Sequence, residues 1–91
     1  MQIRCRYGRV GKNIRHFTVQ LELWEAGEWR PIVRYDNAHG FCHRDLLHVD
    51  GSQEKTPILY GDANETFTKA VADLRANWEA YRSQHFGKGK K

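Results

Sequence analysis

The chain has only two cysteines, Cys5 and Cys42, and nothing of CxxC spacing joins them. That argues against a zinc ribbon or a thioredoxin-type site, and both are read as reduced thiols. A long apolar run is also missing: the amino-terminal MQIRCRYGRVGK is charged from its fourth residue. Neither a signal peptide nor a membrane span fits such a start, so the expectation is a cytoplasmic protein that engages no membrane. No internal repeat, linker or domain boundary interrupts the pattern. With 91 residues, 40% of them apolar, the chain can build one core, and any site must sit on that core or its edges.

Acidic residues are absent from Met1 to His16, a stretch that holds Arg4, Arg6, Arg9, Lys12 and Arg15. The chain then closes on the basic tail 87–91, GKGKK, and carries a net charge of +4. Lys and Arg release counterions when they meet phosphates, so the five N-terminal cations are candidates for binding nucleic acid. Solubility is the alternative reading, and a solvated terminus suits the tail.

Alternation of apolar and polar residues marks strands at about 2–9, 14–24, 29–36 and 41–48, with a fifth short segment at 54–60. Glu25-Ala26-Gly27-Glu28 reads as a turn with glycine at positive φ, and Pro31, lacking an N–H, implies an edge-like position or a bulge. From Asp62 the period changes. Asp62 and Glu65 have the spacing of a capping box, and Phe67, Val71, Leu74, Trp78 and Tyr81 form one apolar stripe of a helix over about 63–85. The fold expected is α+β: an antiparallel four- to five-stranded meander sheet packed by one C-terminal amphipathic helix. An exposed edge at strand one or near Pro31 would also permit a homodimer by sheet extension. His16 and His85 are read as solvated.

Chemistry concentrates on the hairpin of strands three and four. A four-residue turn would set Asp36 opposite Phe41, Arg34 opposite His43 and Ile32 opposite Asp45. One face then gathers Arg34, Asp36, His43 and Asp45, while the helix covers Trp29, Val33, Tyr35, Cys42 and Leu46. Such a group suits phosphodiester chemistry without a metal. His43 would move the proton, Asp36 or Asp45 would orient it, and Arg34 or Arg44 would neutralise charge on the phosphorane. A solvated face of arginine–aspartate pairs is the plainer alternative. His39, His43 and Asp45 could converge on a metal only if the turn folded back. The expectation is therefore no metal and no cofactor.

The run Arg34-Tyr35-Asp36-Asn37, followed by Gly40 and His43, resembles the signature of the TumE-like toxins of type II toxin-antitoxin pairs and of a related group of uncharacterised small domains. Those proteins carry a histidine-x-histidine pair; here Asp45 stands in place of the second histidine. The resemblance implies a sheet-and-helix toxin held inactive by a cognate antitoxin with a helix-turn-helix. RNA is the target that best suits the basic ends, since its own 2′-hydroxyl can serve as nucleophile. The function expected is thus a toxin acting as a metal-independent endoribonuclease, with a non-catalytic nucleic-acid-binding or protein-interaction module as the alternative.

Overall fold

A computed structural model describes residues 1–38, 40–59 and 61–87, and its strands form where the sequence alternates. They are β1 (Gln2–Val10), β2 (Asn13–Glu25), β3 (Glu28–Asp36), β4 (Cys42–Leu47) and β5 (Gln53–Ile58), followed by the helix α1 (Ala63–Gly87). The strands pair antiparallel in chain order, so β1 and β5 are the edges of a five-stranded meander, and the fold is α+β. Tyr60, at the end of the expected fifth strand, and tail residues 88–91 lie outside the described residues. No helix among the described residues is long and apolar enough to cross a membrane.

The β2–β3 turn is tighter than expected. Ala26 (φ 51°) and Gly27 (φ 83°) alone make it, while Glu25 and Glu28 pair in the ladder. Two successive positive φ values are what a two-residue hairpin turn needs to match the strands' twist. Further along, Leu21 pairs with Val33 but Glu22 with Pro31, which leaves Ile32 as the extra residue of a bulge beside the proline. The bulge reverses the alternation of β3's first residues. Trp29 therefore lies beside Trp24, ring centroids 5.4 Å apart, with both rings exposed. This corrects the expectation that the helix covers Trp29.

Asp62 caps the helix as its spacing predicts. Its Oδ1 accepts from Glu65 N at 2.9 Å, and its own N–H donates to Glu65 Oε1 at 3.5 Å. The buried stripe is Thr66, Ala70, Leu74, Tyr81 and His85, whereas Phe67, Val71 and Trp78 pack half-buried along its flank. The phase changes at Asn77, whose φ of −119° and ψ of 16° kink the helix. Small residues at Thr66 and Ala70 let the first half approach the sheet closely. Underneath lie Phe17, Val19, Leu21, Val33, Tyr35 and Cys42, all buried. Burial pushes the Cys42 thiol up to about 11, with the nearby Asp36 charge adding to the effect, so it stays protonated at neutral pH.

The helix's far end is tied by histidines. His85 Nδ1 meets the carbonyl of Leu47, and its Nε2 lies 3.5 Å from Glu25 Oε1. His48 bridges Gln84 O (3.1 Å) and the Glu54 carboxylate, while Val49 N donates to His85 O at 3.0 Å. The expectation of a solvated His85 is corrected: it is buried and holds α1 to the β4–β5 turn.

Candidate functional site

The helix covers only the face that carries Cys5, Val19, Tyr35 and Arg44 in one cross-strand row. The opposite face is covered by no second layer among the described residues. It carries two rows: Arg4, Gln20, Arg34, Asp45 and Lys55 in the first, Arg6, Thr18, Asp36, His43 and Pro57 in the second. These rows correct the expected register of the β3–β4 hairpin. Asp36 pairs with His43 and Arg34 with Asp45, two residues from the predicted pairing.

Asn37 is tied to β2 at this point. Its Oδ1 accepts from Phe17 N (2.9 Å) and its Nδ2 donates to Arg15 O (3.1 Å), so the side chain extends the pairing with β2, while its carbonyl accepts from Gly40 N at 3.2 Å. The connection from Asp36 to His43 then spans residues 37–42. Because the shift is two residues, Val33 to Asp36 and Cys42 to Leu46 keep their predicted faces, while the bulge at Ile32 moves Trp29 to the open face. Asp36, His43 and Asp45 come together, and Arg34 shares their face with its Nε directed to Gln20.

Arg44 does not join them. It lies under the helix, where Nη1 donates to Tyr81 Oη (3.3 Å) and the guanidinium stands 6.0 Å from that ring's centroid. The hydroxyls of Tyr35 (2.7 Å) and Tyr81 both donate to Asp73 Oδ2, and Asn77 Nδ2 donates to Oδ1 at 2.8 Å. Burial and the Asp73 hydrogen bond raise both phenols above their ordinary range. This network is structural.

On the open face His43 Nε2 lies 3.4 Å from Asp36 Oδ1, and the Phe41 ring stands 6.1 Å from the imidazole. Lys55 Nζ is 3.5 Å from Asp45 Oδ1, while Arg34 Nε donates to Gln20 Oε1 at 3.0 Å. His43 and Asp45 are only 4% and 6% exposed. Glu22, which the sequence reading overlooked, is equally buried. It receives Gln2 and Gln20 amides, with Arg4 Nε at 3.5 Å. Its place among the even-numbered polar residues of β2 was the available signal.

The five N-terminal cations do not share a surface. Arg4 and Arg6 flank Thr18 and Gln20 around a hollow of about 260 Å³ on the open face. Arg9 stacks 5.9 Å over the Tyr7 ring, Lys12 sits in the β1–β2 turn, and Arg15 borders a separate pocket at the N-terminal end of α1. His16, exposed as expected, occupies the space that a Cβ on Gly8 would need. Of the metal candidates His39 lies outside the described residues. The group whose ligand atoms come together is Asp36, His43 and Asp45.

Fold and site define a small α+β domain that keeps one polar sheet face open. The whole chain, residues 1–91, matches the family model described as a domain of unknown function, DUF7718, and the protein belongs to that family. No curated protein and no solved structure matches it.

Proposed function

We propose that the protein binds single-stranded RNA on the open face of its sheet. The observation that carries this reading is the grouping of Arg4, Arg6 and Arg34 with the exposed Trp24–Trp29 pair on the one face the helix leaves uncovered. Cations that track a backbone beside aromatic faces that accept bases are the usual elements of such binding. The face is not uniformly basic, because Glu22, Asp36 and Asp45 offset most of Arg4, Arg6, Arg34 and Lys55. Affinity should therefore be moderate, with stacking carrying a large share.

Fluorescence anisotropy with a short oligouridine across a salt series tests this. Arg4→Ala and Arg6→Ala should each weaken binding and lower the magnitude of the log–log salt slope by roughly 0.7, while Trp24→Ala should cost about 1–3 kcal/mol of affinity. Unchanged slopes and an unaffected Trp24 variant would remove RNA from this face.

A second reading is a toxin-antitoxin toxin that cleaves RNA without a metal, and the approach of His43 to both aspartates favours it. Arg34 would neutralise phosphate charge, and a helix-turn-helix antitoxin would be its partner. Tightly induced expression in a bacterium separates the two readings. Growth arrest with fragmented RNA supports cleavage, whereas normal growth with abundant soluble protein leaves binding alone.

A further inference from the structure

We propose that Asp36, His43 and Asp45 form a binding site for a divalent transition-metal ion on the sheet face that the helix leaves uncovered. The site follows from the register. Asp36 is the cross-strand partner of His43, and Asp45 is two residues beyond His43 on the same face of β4. One ligand atom from each residue lies within 4.8 Å of the other two. The 3.4 Å from His43 Nε2 to Asp36 Oδ1 is the edge of a tetrahedron whose centre is about 2.1 Å from each corner, the ordinary metal–ligand distance for imidazole and carboxylate.

Asp45 supplies an independent observation. Its side chain is 8% exposed, and its buried Oδ1 accepts no hydrogen bond. Arg34, the neighbour that pairing places beside it, directs its Nε to Gln20. The cation paired with that oxygen is Lys55 Nζ, 3.5 Å away on a side chain 59% exposed, which can swing into water without disturbing the sheet. A buried carboxylate oxygen left without a hydrogen bond is costly, and a metal ion would satisfy it.

The donor set selects the ion's class. One imidazole nitrogen with two carboxylate oxygens suits Mn²⁺, Fe²⁺, Co²⁺ or Zn²⁺, and the absence of thiolate disfavours softer ions. Three protein ligands leave a coordination position for water or an incoming anion, the arrangement of reactive rather than purely structural sites. Two adjacent ladder strands hold all three ligands, so little ordering is needed on binding. The bound ion would also cancel the two carboxylates that now offset the face's positive charge. The inference stands apart from RNA binding and can hold without it.

The test is calorimetric titration of the chelator-treated full chain with MnCl₂ and with ZnCl₂, alongside thermal melts. One ion per chain is expected, raising the wild-type Tm as a ligand of the native state must. Asp45→Asn and Asp36→Asn keep side-chain volume and should each weaken binding at least tenfold and lose most of the Tm rise. Lys55→Ala, on an exposed side chain, should bind as tightly as wild type or more so. Absence of saturable binding to the wild type would overturn the site. So would one-to-one binding that both asparagine variants retain, because the ion would then sit elsewhere.

Discussion

Asp73→Ala is expected to destabilise the protein by about 3 kcal/mol, although Asp73 is half-buried and belongs to no candidate site. Its carboxylate is the common acceptor for the Tyr35 and Tyr81 hydroxyls and for Asn77 Nδ2. Removing it strands two phenols that are themselves buried, beside an Arg44 whose Nε already lacks a hydrogen bond. A hydrogen bond to a charged group contributes about 1.5–3 kcal/mol, and unsatisfied buried donors add to the loss. For a domain of this size each kcal/mol moves Tm by about 4–8 °C, so the melt should fall by more than 10 °C. Urea denaturation of Asp73→Ala beside Tyr35→Phe checks it: the phenylalanine variant, which removes one donor and leaves the acceptor served, should lose about a third as much. Equal, small losses would show that the network is incidental.

The same network has a pH signature. Both phenols titrate above their ordinary value of about 10 in the folded state, so between the unfolded and folded values the native chain holds more protons than the unfolded one. Their contribution is fully present below about pH 10 and is lost as pH rises through the folded values.

Most of the fold was legible because the apolar pattern obeys one period at a time. β2 alternates from Phe17 to Leu23, and the Asp62–Glu65 box marks the helix start at the position it occupies. What escaped were features set by partners distant in sequence. Nothing local to Asn37 reveals that its amide will grip the backbone of Phe17 and Arg15, a grip that accompanies a hairpin register two residues from the predicted one. Pro31 announced an edge-like position or a bulge but not the consequence for Trp29, which depends on Ile32 being the inserted residue.

The membership of the polar cluster survived the register error because parity is conserved under a two-residue shift, and its depth did not. His43 and Asp45 are buried although no helix or second sheet among the described residues lies on their face, which strand alternation cannot show. The Arg34-Tyr35-Asp36-Asn37 run also divides differently than a catalytic signature would. Tyr35 holds the helix and Asn37 holds β2, while Arg34 and Asp36 alone face the open side. Part of that motif is explained by folding.

This division bears directly on how His43 should be tested. His43→Ala is expected to lose about 3 kcal/mol, because it empties a buried ring's volume beneath Phe41 and removes the partner 3.4 Å from Asp36, leaving two carboxylates facing each other across the gap. In a domain with few kcal/mol of net stability, loss of any activity in that variant would report unfolding. His43→Gln retains most of the volume and a donor toward Asp36, so its Tm should stay within about 5 °C of wild type while proton transfer at this position is eliminated. If expression of the wild type fragments cellular RNA and folded His43→Gln does not, the imidazole acts chemically. Cleavage that persists in folded His43→Gln would assign His43 to structure, and the chemistry would have to be sought elsewhere on the chain.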